Sequence, residues 1–420
     1  LGLAAGYVSI WPPAALQSVV PSGRQATPPT LVVLPFESLG DDSKQEHFAD
    51  GITEDLITDL SNVSHLSVVA SNTAFSYKGK QAKPQEVARE LGVDYVVEGS
   101  VRQDAGSARV NARLVDGKTG FERWGERYDR QLAEVFAAQD EMTDRIVAAL
   151  ATTLTRQDKG QAPQRATDNL TAYDNFQEGQ KLAQIQTRDT ALLAEDAFRS
   201  AIEADPTYAR AYCALAYVLA RSVRYGWTDT PVETIDRSLE LATKAVALDG
   251  SIPQPYWALG YVYLMRKEYG KAEAALRDAL TVAPGYADGY GLLALFKNVM
   301  GEPEAAIELT KRGMELNPHY TWDYPYNLGR AYYTLGRIDD AIKALEEAKT
   351  RNENAPVVRL QLAASYVRAG RQADAEWEVQ ELEVMSPKDT LSNLKKTDPL
   401  NSPKLMDEFL ADLRKAGLPE

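Results

Sequence analysis

The sequence predicts a small mixed-sheet α/β domain followed by an all-α superhelical solenoid. Three observations carry this reading. Between residues 30 and 155, short apolar runs of strand length alternate with stretches of helical period. From residue 170 to about 390 the chain repeats with a period of 34 residues. The 420 residues, 44% of them apolar, are enough for more than one core.

Taken in order, Leu1 to Ile10 is apolar and ends at Trp11-Pro12-Pro13. Ten residues cannot cross a bilayer, which takes about 20. Residues 1–13 therefore read as the end of a membrane helix cut upstream, with an interfacial Trp, or as an apolar tail. A chain that starts on Leu rather than Met reads as a fragment or a processed product. Residues 14–29, containing PSGRQATPP, suit a flexible linker.

The first domain spans 30–155. Leu31 to Leu34, closed by Pro35, suits a buried strand, and 45–62 carries Phe48, Ile52, Leu56, Ile57 and Leu60 at helical spacing. A strand is expected over Leu66–Ala70, then a turn over Phe75–Lys80 and a helix over Pro84–Leu91 capped by Gly92. Tyr95–Val101 and Ala108–Val115 alternate around Ala105-Gly106-Ser107 as a hairpin. A further strand holds Trp124 and Tyr128, both expected to close the core. Val135, Phe136, Met142, Ile146, Val147 and Leu150 then mark a long amphipathic helix.

The words LVVLPFESLG, EHFADGITEDLITDLS, AFSYKGK, ELGVDYVVEGSVR and RWGERYDR together resemble the TolB-N/FlgO-like module over residues 30–150. That resemblance implies a module without catalytic residues. It also implies a bacterial protein in which a membrane helix precedes the module, tetratricopeptide repeats follow it, and a class III cyclase or a CadC-like winged helix lies upstream. Asp50, Glu54, Asp55 and Asp59 could form a cation site, but read better as acids complementing a helix N-terminus that Thr53 helps to cap. Lys78 and Lys80 flank Gly79 without a phosphate-loop pattern, which favours a solvated turn.

A linker is expected over 156–169. In 170–390, Tyr256, Leu259, Gly260, Tyr263, Ala272, Ala279 and Pro284 define one repeat. Tyr290, Leu293, Ala294, Ala306 and Pro318 define the next, and Leu328, Gly329, Tyr332, Ala341 and Ala348 a third. Leu362, Ala363, Tyr366, Ala375 and Pro387 make the last. Upstream lie Tyr212, Leu215, Ala216 and Ala245, with an insertion near 223–231, and a degenerate unit at Tyr173, Gly179, Ala194, Phe198, Ala201 and Pro206. The pattern is that of six tetratricopeptide repeats, in which small residues let paired helices approach closely and stacking buries the shared core. Residues 391–420, with Leu405, Phe409, Leu410 and Leu413, are expected to form a capping helix. The ending LRKAGLPE resembles the C-termini of cyclase-linked proteins.

Such an array curves around a groove lined by the first helix of each pair. Register directs Tyr217, Arg221, Trp257, Tyr261, Asn298, Tyr326, Arg330, Tyr333 and Arg368 toward that groove. Aromatic and Arg side chains are effective binding anchors. Tyr217 and Tyr261 could equally fill space between repeats, whereas Arg330 and Arg368 are expected to be exposed. Cys213, also at a groove position, reads as a small buried hydrophobe.

Composition excludes several functions. The formal charge of −14 argues against a nucleic-acid partner and against docking on anionic lipid. A lone cysteine and three scattered histidines, His47, His65 and His319, argue against a disulfide framework or a metal centre, and no cofactor is expected. The chain reads as a non-enzymatic sensor or scaffold on the periplasmic face of a bacterial inner membrane. Its expected partner is a peptide, protein or envelope component in the groove, and homodimerisation is one route by which binding could reach an output domain. The alternatives are the regulatory part of an adenylate cyclase whose catalytic domain lies upstream, or a free envelope scaffold.

Overall fold

A computed structural model describes residues 29–150 and 167–420, apart from 41–42, 62, 64–65, 81, 105, 132–133 and 387–388. The expected membrane-helix end at 1–13, most of the linkers at 14–29 and 156–169, His65 and Pro387 lie outside the described residues.

The first domain runs β1 (Thr30–Val33), β2 (Glu37–Ser38), α1 (Ser43–Ser61), β3 (Ser67–Val68), α2 (Ser71–Phe75) and α3 (Pro84–Leu91). It continues through β4 (Tyr95–Asp104), β5 (Ser107–Asp116), β6 (Glu122–Gln131) and α4 (Val135–Leu150). The strands form one mixed sheet in the order β3-β1-β4-β5-β6, with β2 pairing β4. β1 is parallel to both β3 and β4, whereas β4, β5 and β6 are antiparallel neighbours, with Val110 opposite Tyr128. Alternation along β5 sends Ala108, Val110, Ala112 and Leu114 into the core. There they meet Ile52 and Leu56 of α1 and Met142 and Ile146 of α4. Tyr128 is buried, and Trp124 packs half-buried at the edge of the same core.

The strand expected over 66–70 shortens to two residues. The Ala70 N–H leaves the sheet and donates to Leu316 O (3.2 Å) in the helical part, and Ser71 begins α2.

Among the described residues, six antiparallel helical hairpins follow. They are α5 (Leu170–Ile185) with α6 (Arg188–Ala204), α7 (Ala209–Arg224) with α8 (Pro231–Leu248), and α9 (Pro253–Met265) with α10 (Tyr269–Val282). Then come α11 (Ala287–Met300) with α12 (Pro303–Leu316), α13 (Asp323–Thr334) with α14 (Ile338–Arg351), and α15 (Pro356–Arg368) with α16 (Gln372–Met385). The close approach within a hairpin needs a missing side chain. At Gly260 an added Cβ would lie 2.6 Å from Leu276 Cδ2.

The first helices of successive hairpins touch one another along the stack more extensively than the second helices do, so the first helices line the inside of the curve. The curve is tight enough that Asn352, after α14, donates to Gln186 in the first hairpin (3.4 Å).

The α/β domain sits against this array. Tyr173 of α5 joins the α/β core beside Phe48. Thr73 donates to Asn317 (2.7 Å) and accepts from the His319 N–H (2.8 Å). Asp55 of α1 and Arg210 of α7 form a buried ion pair, and Gln139 of α4 also donates to Asp55 (3.2 Å).

Beyond the hairpins, the expected single capping helix is two helices, α17 (Leu391–Thr397) and α18 (Pro403–Lys415). They turn back across the inner face rather than simply ending the stack. Tyr269 donates to Pro399 O (3.0 Å), Asn401 N–H donates to Val299 O (3.0 Å), and α18 packs along α15.

Candidate functional site: the inner face of the repeats

The structure divides the residues expected in the groove into two groups. In the second and third hairpins, Tyr217 lies 4.8 Å from Trp257 and 5.0 Å from Tyr261 between ring centroids, and Trp257 stacks on Tyr261. Trp257 Nε1 also donates to Asp288 O (3.0 Å), tying α9 to α11. Arg221 is buried at 2% exposure, donates to Ala183 O (3.0 Å), and holds its guanidinium over Tyr217. Tyr217 and Tyr261 therefore serve inter-repeat packing, and Tyr217 together with Trp257 also borders open space.

The second group lies under the C-terminal segment. Tyr333 donates to Asp412 (2.7 Å), and Arg368 donates to the same carboxylate (2.5 Å) with its guanidinium 4.0 Å from the Tyr333 ring centroid. Burial, and then the bond to Asp412, push the Tyr333 phenol well above its usual pKa. Tyr326 is buried, and Arg330 lies over its ring at 5.8 Å. The exposure expected for Arg330 and Arg368 is thus not found. Arg330 is 8% exposed and Arg368 is ion-paired, because α17 and α18 cover the part of the inner face that they line. Asn298 has a structural role: its side-chain amide donates to Asn327 O (2.9 Å), and Asn327 donates to Gly291 O (2.9 Å). Cys213 is buried beside Arg210 O, and burial pushes its thiol up to about 12, which leaves it unreactive.

The acids of α1 are not helix-terminus electrostatics. The helix begins at Ser43 and ends at Ser61, so Asp50, Glu54 and Asp55 lie well inside it and Asp59 falls in its last turn, where the macrodipole disfavours an acid. Thr53 caps nothing. Its hydroxyl donates to Ala49 O (2.9 Å) and accepts from the Phe36 N–H (3.0 Å). Lys78 is not simply solvated either, since it bridges Glu46 (2.8 Å) and Asp50 (2.5 Å). Lys80 sits over the Tyr77 ring.

Residues that sequence reasoning missed complete the inner face. Glu54 faces a cavity between α1 and the repeats, together with Tyr286 and Asp288 at the start of α11. Burial is the main reason that the Glu54 and Asp288 carboxyls are each raised to about 7. Arg210 partly opposes the shift at Glu54, and Asp323 reinforces it at Asp288. A sequence signal for Arg210 existed: it is a lone charge among Ala209, Ala211 and Leu215 on the buried side of α7. Among the described residues no group of three or more His, Cys, Asp or Glu side chains is placed to hold a metal ion. No described helix is long and apolar enough to cross a membrane.

Family comparison supports the helical part directly, with tetratricopeptide-repeat models matching residues 253–286 and 326–389. The array is built of tetratricopeptide repeats. Residues 26–148 match a different family, the second domain of HilA/YgeH-like transcriptional regulators. A curated protein named putative adenylate cyclase 3, from Rhizobium meliloti (strain 1021), is 39% identical over 247 residues, or 59% of this chain. The chain spans 42% of the length of that relative. Among solved structures, the human IFIT1 dimer with m7Gppp-AAAA is 17% identical, covering 67% of this chain and 64% of that one, with a TM-score of 0.46. Pseudomonas aeruginosa pilF is 19% identical, covering 54% of this chain and 96% of that one, with a TM-score of 0.37.

Proposed function

We propose that this chain is the non-catalytic sensor and scaffold region of a bacterial membrane signalling protein, and that the parent is an adenylate cyclase whose catalytic domain lies outside these residues. The observation that carries the reading is the 39% identity to a protein named as a putative adenylate cyclase, taken with a tetratricopeptide array whose inner face is lined by aromatic and charged side chains. Tetratricopeptide arrays act as interaction scaffolds, and a partner held on the inner face would bias the pose or dimerisation of an output domain. The resemblance of residues 30–150 to the TolB-N/FlgO-like module favours a periplasmic setting, with a membrane helix before it. A second reading, an output domain that is a DNA-binding regulator, is favoured by the match of residues 26–148 to a domain of HilA/YgeH-like transcriptional regulators.

The test is cyclase activity in membranes. The 420 residues alone, given ATP and Mn²⁺, are expected to form no cyclic nucleotide. The full-length parent lacking residues 170–390 is expected to keep turnover but lose its response to envelope extract. Turnover by the isolated chain, or an unchanged response after the deletion, refutes the proposal. A parent with no cyclase activity at all selects the second reading.

A further inference from the structure

Between the α/β domain and the inner helices lies a partly open cavity of about 310 Å³, at the small end of the range for small-molecule sites. Its floor is α7, α9 and α11, and its roof is α1 with the segment leading into α2. Trp257, Tyr286 and Tyr217 supply aromatic wall. Two carboxylates, Glu54 from the roof and Asp288 from the floor, face it from opposite sides.

The charge inside is unbalanced. Arg210 is the one cation among the described lining residues, and Asp55 engages it in the buried ion pair. Asp288 is an exposed residue on the cavity rim, where the surrounding protein and then Asp323 raise its carboxyl above the ordinary range. A third group is also unsatisfied. The side-chain carbonyl of Gln254 lies in the same wall, is fully buried, and accepts no hydrogen bond.

We propose that this cavity binds a small organic ammonium ion, held by Glu54 and Asp288 and packed against Trp257 and Tyr286. The chemistry selects this class. Aromatic faces attract an alkylated cation through the ring quadrupole, and two carboxylates neutralise it in a partly dry site. A hard metal ion would need six or more oxygen ligands close together, which aromatic walls do not offer. An anion would meet two carboxylates. This deepens the reading above by naming the chemistry of a ligand on the inner face. It rests on that reading for its biological role, but its test needs neither a membrane nor an output domain.

The probe is choline, set against its uncharged isostere 3,3-dimethylbutan-1-ol, with the whole 420-residue chain at pH 8, where both carboxyls are ionised. Calorimetry and melting curves are expected to show saturable choline binding with a raised melting temperature, and none with the isostere. Glu54→Gln and Asp288→Asn are each expected to weaken choline binding about tenfold or more. Without ligand, Asp288→Asn is expected to melt at or above the wild-type temperature, because it removes a charge with no cation beside it, and Glu54→Gln, which gives up an attraction to Arg210, is expected to keep a single cooperative melt. That separates loss of the site from loss of the fold. Equal binding of choline and its isostere overturns the proposal. So does wild-type affinity in the Glu54→Gln/Asp288→Asn double variant, or the absence of saturable binding by choline, putrescine and spermidine alike. Loss of cyclase regulation with choline binding intact would instead count against the signalling role alone.

Discussion

Replacing Asp55 with Ala is expected to loosen the α/β domain from the repeats. Asp55 and Arg210 both lie inside the contact between the two parts, with side-chain exposures of 10% and 8%. Burial pulls the Arg210 pKa down, and Asp55, Tyr208 and Glu54 together more than reverse it, so the guanidinium stays charged. Asp55→Ala leaves that charge buried without its direct partner and leaves the Gln139 amide without its acceptor. Breaking one side of a buried pair costs about 3–5 kcal/mol. Glu54 also acts on Arg210 and compensates part of the loss, which sets the expectation at about 3 kcal/mol, the low end of that range. At roughly 2–4 °C per kcal/mol, this lowers the melting temperature by about 6–12 °C. Arg210→Met alone is expected to cost a similar amount. The Asp55→Ala/Arg210→Met double variant should recover most of the loss, because matched apolar replacement of a buried pair is near neutral. The assay is a double-mutant cycle by urea unfolding, followed by tryptophan fluorescence and by far-ultraviolet circular dichroism of the whole chain. A single-variant cost below about 1 kcal/mol, the value of an exposed pair, or a coupling near zero, refutes the buried inter-domain link.

Other expectations can be checked with the same material. Gly260→Val drives a side chain into Leu276 and is expected to cost about 1–3 kcal/mol by urea unfolding. Asp412→Asn weakens the charged bonds from Tyr333 and Arg368 and is expected to cost about 1.5–3 kcal/mol. Limited proteolysis should then cut faster between α17 and α18. In the pH dependence, Glu54 and Asp288 keep their protons to about 7 when folded, against ordinary values of 4.5 and 3.8. Across that window the unfolded chain has already lost protons that the native chain retains, so these two groups make stability fall as pH rises from about 4 to 7. Melting temperatures at pH 5, 6, 7 and 8 in the Glu54→Gln/Asp288→Asn variant should show a shallower decline than wild type.

Much of the fold was legible in the residues. The alternation in 107–116 and the helical spacing in 135–150 placed sheet and helix correctly, and the 34-residue spacing located the hairpins, because each signal arises within one or two elements. The clustering of Tyr217, Trp257 and Tyr261 between neighbouring hairpins was also readable, since register within a hairpin fixes which side of a helix meets the next repeat. What covers the inner face was not. Arg330 looked like an exposed anchor until α17 and α18 turned back over it, and Asp55 looked like one acid among four until Arg210, 155 residues away, met it.

The sequence by itself determined the two-part fold, because periodicity and small-residue spacing are local properties of the chain. Only the tertiary structure decided which aromatic and charged residues are engaged and which stand unpaired. Asp412 takes up Arg368 and Tyr333, Asp55 takes up Arg210, and Glu54 and Asp288 face a cavity whose one described lining cation, Arg210, is already ion-paired with Asp55. Pairing energies fall steeply with distance and depend on exclusion of water. Both conditions are set by how distant segments pack, which no local pattern records.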